Sequence, residues 1–345
     1  MIAYHQISDA HIAMRQHPAM LIEFARNREV SEAQILLDTG IDIAATEDAQ
    51  RMISPQQYLR LLMNVTKALD ANDTSFLIGE QMLPGHIDGV SHALLHAGSL
   101  REALEILIAY ATQLSPLMCP RLKRGKGWVV VYWMDSYGAP AQRSVLTEMH
   151  MAALVAMCRW LSGERLPWRF CFNRRAPRYI EQYEVHLGSE MKFNCHFDAM
   201  LIEEDMLDRR WPRGNPVAVK LALQASVAEQ KQNTPSLLNA LYDYLLKHIR
   251  CAPTLDQAAQ EFFCSPATLK RYFAKHGTHF QAELDQVRSH AALHLFLTQQ
   301  IDNEAVAQHL GFHDANNFRR SFKRWTGLTP SLIREGMHAD LAKWI

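Results

Sequence analysis

One basic segment occurs twice in the C-terminal part of the chain, and the duplication requires this part to fold as two like units. The first copy, residues 262–277, reads FFCSPATLKRYFAKHG, and the second, residues 312–327, reads FHDANNFRRSFKRWTG. With Phe263 placed over Phe312, Ser265 falls on Asp314, Leu269 on Phe318, Lys270 on Arg319, Arg271 on Arg320 and Phe273 on Phe322.

Each copy reads as a capped amphipathic helix. In the first, Ser265 can cap, Pro266 fits the first helical position, and Leu269 and Phe273 stand four apart on one stripe. Ala267, Lys270, Arg271 and Ala274 or Lys275 then face elsewhere. In the second, Asp314 caps, Phe318, Phe322 and Trp325 go inward, and Ala315, Asn316, Arg319, Arg320 and Lys323 point out. Both copies therefore present a basic face free of carboxylates.

A shorter helix precedes each copy: TLDQAAQEF, centred on Ala259, and NEAVAQHL, centred on Ala307. Helix, tight turn and basic second helix is the helix-turn-helix plan, in which the second helix enters the major groove. The small central residue lets the two helices cross closely. Gly311 supplies the second turn, because glycine takes positive φ without a steric cost. Between the units, FQAELDQVRSHAALHLFLT (Phe280–Thr298) reads as one helix of roughly 28 Å at 1.5 Å per residue. Successive major grooves on one DNA face lie about 34 Å apart, so a rigid spacer would let one polypeptide read two of them.

Residues 253–334, and above all the run LGF…F…FKRW-TG-TP, resemble the two-unit DNA-binding domain of AraC/XylS transcription regulators. The resemblance implies that the outward residues of each second helix contact bases: Ala267, Lys270 and Arg271 in the first, and Ala315, Asn316, Arg319 and Arg320 in the second. Groove chemistry agrees, since Arg and Lys suit guanine O6/N7, Asn suits adenine N6/N7, and Ala can touch a thymine methyl. Lys275, Lys323 and Arg324 are expected to contact phosphates, which position without specifying. One departure stands out: Phe263 occupies the first-unit turn position, where the family usually has glycine.

The preceding two thirds of the chain have a different character. Up to about Leu114 the apolar spacing is mainly helical, as in SPQQYLRLLMNVTKAL and GSLREALEILIAYATQL. Then GWVVVYWMD reads as a strand entered through a glycine hairpin turn, RSVLTEMHMAALVAMCRWLSG as a helix ended by Gly163, PWRFCFN as a strand, and MKFNCHFDAMLI as one long strand or two short ones. The expected architecture is an α+β N-terminal domain of helices with a mixed sheet over residues 1–225, a polar linker at 226–236, and an all-α DNA-binding domain of two helix-turn-helix units over 237–345. The segments MLPGHIDGVSHALLHAGSLREALEILIAYATQLSP and YEVHLGSEMKFNCHFDAMLIEEDML resemble the arabinose-binding-like sensing domain of one AraC/XylS subgroup. That resemblance implies an effector pocket, a dimer contact or both, without implying arabinose as the ligand.

Bulk charge gives no hint of a polyanion partner, because 36 basic and 36 acidic side chains cancel. Six cysteines without a C-x-x-C pair indicate neither a disulfide framework nor a cysteine-rich zinc site. No apolar run is long enough to cross a membrane, and a cytoplasmic protein is expected. His92 and His96, with His86 nearby, have a spacing that could hold a metal. Among 17 histidines such pairs arise by chance, and no H-E-x-x-H is present. Cys195-His196 and the pair Glu148 and His150 lack a third group to orient them for catalysis. Cys119-Pro120 brings to mind alkyl-transfer repair regulators, but the zinc-bound cysteine cluster those use is missing.

The expected function is that of a sequence-specific DNA-binding regulator, an activator by the family's usual mode, answering to a small-molecule effector without a cofactor. Its expected partners are double-stranded DNA, the effector, RNA polymerase and a second copy in a homodimer. The alternative is an enzyme or metal-sensing domain fused to a DNA-binding domain.

Overall fold

The computed structural model describes residues 2–331 except 43–47, 49, 86–88, 230–232 and 299–300. The chain opens with β1 (Ile12–Ala13), α1 (His17–Arg26), α2 (Glu32–Ile35), β2 (Met52–Ile53), α3 (Pro55–Leu69), α4 (Thr74–Glu80), α5 (Gly89–Leu95), α6 (Leu100–Ala109) and α7 (Ala111–Leu114). There follow β3 (Met118–Gly125), β4 (Trp128–Asp135), α8 (Arg143–Ser162), β5 (Arg169–Cys171), α9 (Ile180–His186), β6 (Met191–Lys192), β7 (Ala199–Glu203) and α10 (Pro216–Glu229). The C-terminal part is helical: α11 (Leu237–Lys247), α12 (Leu255–Glu261), α13 (Pro266–Lys275), α14 (Phe280–Thr298), α15 (Asn303–His309) and α16 (Ala315–Thr326).

The sheet is mixed, as the alternation of strands and helices predicts. Its order is β3-β4-β7-β5-β6, with antiparallel neighbours except the parallel pair β5 and β6. Lys126 (φ 50°) and Gly127 (φ 78°) close the β3–β4 hairpin, the two positive φ values a tight two-residue hairpin turn demands. MKFNCHFDAMLI divides into β6 and β7, and α8 ends at Gly163 in the left-handed region. β3 itself carries Pro120 and alternating charges, which obscure it in the sequence. It can exist because it is an edge strand, where the missing proline N–H costs no ladder bond.

β4 explains how the molecule is layered. Val129, Val131 and Trp133 join the core formed with the N-terminal helices, while Val130, Tyr132 and Met134 join a second core built mostly from the C-terminal domain. A strand buried on both faces reads as a continuous apolar run, and WVVVYWM does so. On the first face α8 crosses α4 almost backbone to backbone, since a Cβ on Gly79 would lie 2.2 Å from the Met149 carbonyl oxygen. On the second face α14 packs against α11 and β3.

Residues 226–229, expected in the linker, continue α10. Ala and Glu sustain a helix whatever the polarity of the stretch. Residues 230–232 of the expected linker and everything after 331 lie outside the described residues. The chain then runs extended: the His5 amide donates to the Pro235 carbonyl and the Leu237 amide to the His5 carbonyl, both at 2.9 Å. Ser236 caps α11 through the Asn239 amide (3.2 Å).

Candidate nucleic-acid interface

The two C-terminal units repeat the same cap and turn bonds, with one more residue between turn and second-helix cap in the second unit (Gly311 to Asp314) than in the first (Phe263 to Ser265). Thr254 caps α12 by accepting from the Gln257 amide (3.3 Å), and Asp302 caps α15 by accepting from the Ala305 amide (2.8 Å). Both first helices end in one turn: the Phe263 and Gly311 amides donate to the carbonyls of Gln260 (3.1 Å) and Gln308 (3.2 Å), and the Cys264 and Phe312 amides to those of Ala259 (3.0 Å) and Ala307 (2.9 Å). These are the paired bonds of a left-handed helix stop. Phe263 makes it at φ 53° without being glycine, and Gly311 at φ 71°. Ala259 and Ala307, the small residues at the crossings, are buried.

The second helices begin on the expected caps, Ser265 accepting from the Thr268 amide (3.1 Å) and Asp314 from the Asn317 amide (2.7 Å). Leu269 and Phe273 anchor α13, and Phe318 and Phe322 anchor α16, all fully buried. Phe296 of α14 meets Phe322 edge on, with ring centroids 5.5 Å apart. With those stripes inward, Ala267, Lys270, Arg271 and Lys275 are exposed on α13, and Asn316, Arg319, Arg320, Lys323 and Arg324 on α16; Ala315 is half-buried. Arg319 donates to the Asn316 side-chain oxygen, so two expected base readers meet on adjacent turns. Arg324, expected at a phosphate, donates to Asp285 of the spacer helix at 2.9 Å and would have to exchange one anion for another.

Two positioning residues escaped the sequence reading. Arg288, on the spacer helix, donates through Nε to the Leu310 carbonyl (3.1 Å) and stacks on Phe312 at 4.6 Å, fixing the second turn against α14. An arginine on an apolar helix face was the available signal. His276, at the end of α13, donates from Nδ1 to the Tyr137 carbonyl (2.8 Å), and burial holds its pKa below the usual histidine value. That bond ties the first recognition helix to the N-terminal domain, and nothing local to His276 announces it.

The residues weighed for other chemistry lie elsewhere. Glu148 is buried, accepts from Ser75 (2.5 Å) and Tyr183, and pairs with Arg174 at 3.5 Å. His150 donates to the Leu146 carbonyl (2.7 Å), and burial pushes its pKa down to about 4. Cys195 neighbours Cys171 rather than a base. His92 is exposed on α5, His96 follows that helix, and His86 lies outside the described residues. Among the described residues no group of three His, Cys, Asp or Glu side chains is placed to hold a metal, and no helix is long and apolar enough to cross a membrane.

Comparison with known proteins agrees with this division. Residues 30–211, more than half of the chain, match the family model of the arabinose-binding domain of AraC transcription regulators, N-terminal, and residues 258–336 match a helix-turn-helix domain. The chain is 29% identical over 253 residues to the ornithine utilization regulator of Pseudomonas aeruginosa, covering 71% of this chain and 74% of that protein. It is 32% identical over 117 residues to the transcriptional activator RhaS of Escherichia coli O157:H7, covering 34% of this chain and 42% of that one. Among solved structures, the regulator CdpR of Pseudomonas aeruginosa aligns over 95% of this chain and all of its own at 18% identity, with a TM-score of 0.46.

Proposed function

The chain belongs to the AraC family of transcription regulators, and from that premise we propose that it reads two successive major grooves with α13 and α16 and switches transcription in response to a small effector. The observation that carries this reading is the bond-for-bond repetition of the turn and cap in the two units, with a basic outer face on each second helix. Chance produces a solvated basic helix easily; it does not produce two with the same turn and cap bonds on buried apolar anchors.

In this reading Ala267, Lys270 and Arg271 of α13 and Ala315, Asn316, Arg319 and Arg320 of α16 face base edges, while Lys275, Lys323 and Arg324 contact phosphates. The spacer helix, 19 residues and roughly 28 Å long, holds the two helices apart at about the repeat of the groove. In this reading the protein acts in the cytoplasm and contacts RNA polymerase as an activator, and the related RhaS is named a transcriptional activator. It works as a homodimer. Val217 and Leu221 of α10, four residues apart and 68% and 60% exposed, offer a second copy an apolar stripe.

Genome-wide mapping of bound DNA tests the reading. Enriched sites should carry two short conserved blocks about one helical turn apart, in pairs if the protein binds as a dimer. Enrichment without a shared sequence would sink the two-groove arrangement.

A further inference from the structure

The seam between the two domains holds a cavity of about 250 Å3 that is open on one side, lined by Ile108, Cys119, Arg121 and Ser136 from the N-terminal domain and by Asn239 and Asp243 from α11. Arg121 of β3 and Asp243 of α11 form an ion pair across this seam, Nη1 to Oδ1 at 2.7 Å. The Nε of this guanidinium is buried and has no hydrogen-bond partner, so the cavity meets Arg121 on the side that holds Asp243. A guanidinium held by a carboxylate in the cavity wall can exchange it for a ligand's carboxylate, because Arg binds carboxylates through paired N–H groups.

The charges around the seam favour the same kind of guest. Lys123, two residues along β3 from Arg121, is held below the usual lysine pKa by burial and by Arg121, with Asp243 opposing. Arg143 pairs more loosely with Asp198, at 3.6 Å. His290, packed behind the cavity, is kept neutral by burial and by the cations Arg143, Lys123 and Arg121. Asp243 faces this cluster from α11, so Asp243 and Asp198 answer the three cations Arg121, Lys123 and Arg143. The remaining walls mix small and apolar residues such as Ala111 and Pro116 with the polar His11, Tyr137 and Asn233, and the size suits a metabolite of about ten non-hydrogen atoms, at the low end of binding cavities.

Resting on the proposed effector response, we infer that this seam cavity is the effector site and that it takes a small zwitterion, a carboxylate beside a cationic amine. The ligand's carboxylate takes the Arg121 guanidinium in place of Asp243, and its amine takes the Asp243 carboxylate that Arg121 releases. A direct bond between domains becomes a bond through the ligand. The same seam carries the Asn239 side-chain amide donating to Ser136 (2.9 Å) and the His276–Tyr137 bond at the end of α13. Occupancy of the cavity therefore acts on how the first recognition helix is held, which is a differential contact of the kind an allosteric switch requires.

The test is calorimetric titration of the full chain with the common L-amino acids, and with two matched analogues of each, one lacking the carboxylate and one lacking the amine. A broad panel of uncharged metabolites is run in parallel. At least one L-amino acid should bind, both its analogues should bind at least tenfold more weakly, and Arg121→Met should lose at least tenfold in affinity. Since Arg121→Met could disturb the fold, Ile108→Trp, which fills the rim of the cavity and leaves the ion pair intact, should block binding in a protein with an unchanged circular dichroism spectrum. A ligand of any class that binds both variants as tightly as the parent overturns this site and leaves the effector response standing. An uncharged ligand lost in both variants overturns the zwitterion. If no compound binds the parent, the site and the effector response fail together.

Discussion

Phe263 and Gly311 occupy the same left-handed turn in the two units, at φ 53° and 71°, and only one of them is a residue built for it. A side chain in that region costs about 1–2 kcal/mol. Phe263 is 65% exposed, so its ring recovers little by burial. Glycine would relieve the strain but add roughly 0.5–1 kcal/mol of unfolded-chain entropy. Phe263→Gly is therefore expected to raise stability by about 0.5–1 kcal/mol, seen as a higher urea midpoint at constant slope. The opposite exchange, Gly311→Ala, should lower it by about 2 kcal/mol or more, because its Cβ would sit 2.8 Å from the Ile249 carbonyl oxygen and 3.0 Å from the Ala252 nitrogen. A destabilised Phe263→Gly would mean that the ring has a role in the turn.

On the exposed faces of α13 and α16, the proposed base readers and the proposed phosphate anchors should respond differently to alanine. Alanine at Lys270, Arg271, Arg319 or Arg320 should, for at least one residue in each unit, cost about 1–3 kcal/mol at the cognate site and relax preference at one base position. Alanine at Lys275 or Lys323 should weaken all duplexes alike and reduce the salt slope by roughly one. Gel-shift titrations at several salt concentrations on cognate and scrambled DNA make the comparison. Site preference that survives alanine at all four readers would make the repeated helix a scaffold. Arg324 should give a smaller effect than Lys323, because its bond to Asp285 competes with phosphate.

At Gly138 the two domains come into very close contact. A Cβ there would lie 1.8 Å from the His276 carbonyl oxygen, at a residue whose φ of 74° already favours glycine. Gly138→Ala should undock the end of α13 and split thermal unfolding into two transitions, with faster amide exchange in α13 and little change in α8. A single unshifted transition would mean that the seam is not held at this point.

Acid should loosen the same seam. His290 is half-buried, its Nδ1 lies 3.2 Å from the Tyr242 hydroxyl, and desolvation reinforced by Arg143, Lys123 and Arg121 lowers its pKa to about 4. The folded pKa lies below the unfolded value of about 6.5, so the unfolded chain takes up the proton first as pH falls. Stability attached to the neutral ring is complete above about pH 6.5 and is lost as pH drops toward 4. Between pH 7 and 5 this histidine can account for at most about 2 kcal/mol. Urea midpoints at both pH values should fall less for His290→Gln than for the parent, and equal falls would assign the acid sensitivity to other groups such as His150.

What the chain's sequence determined by itself is the part encoded locally. Caps at Ser265 and Asp314, four-residue spacing at Leu269 and Phe273, and the repetition of both are read within one or two helical turns, so they specified the two units, their outward residues and the spacer. The Gly-punctuated hairpin and the end of α8 at Gly163 were legible for the same reason. The tertiary structure decided what depends on partners distant in the chain. β3 carries charges and Pro120, and becomes a strand only because β4 supplies its ladder and its far edge is left open. The apolar run of β4 declared that both its faces would be covered, but not that the second cover is the DNA-binding domain. Arg121 and Asp243, 122 residues apart in the numbering, meet only once that face is closed. The candidate DNA surface was visible in the sequence because a helix face is a periodic pattern. The seam and its cavity were not, because an interface between domains leaves no period in either of its halves.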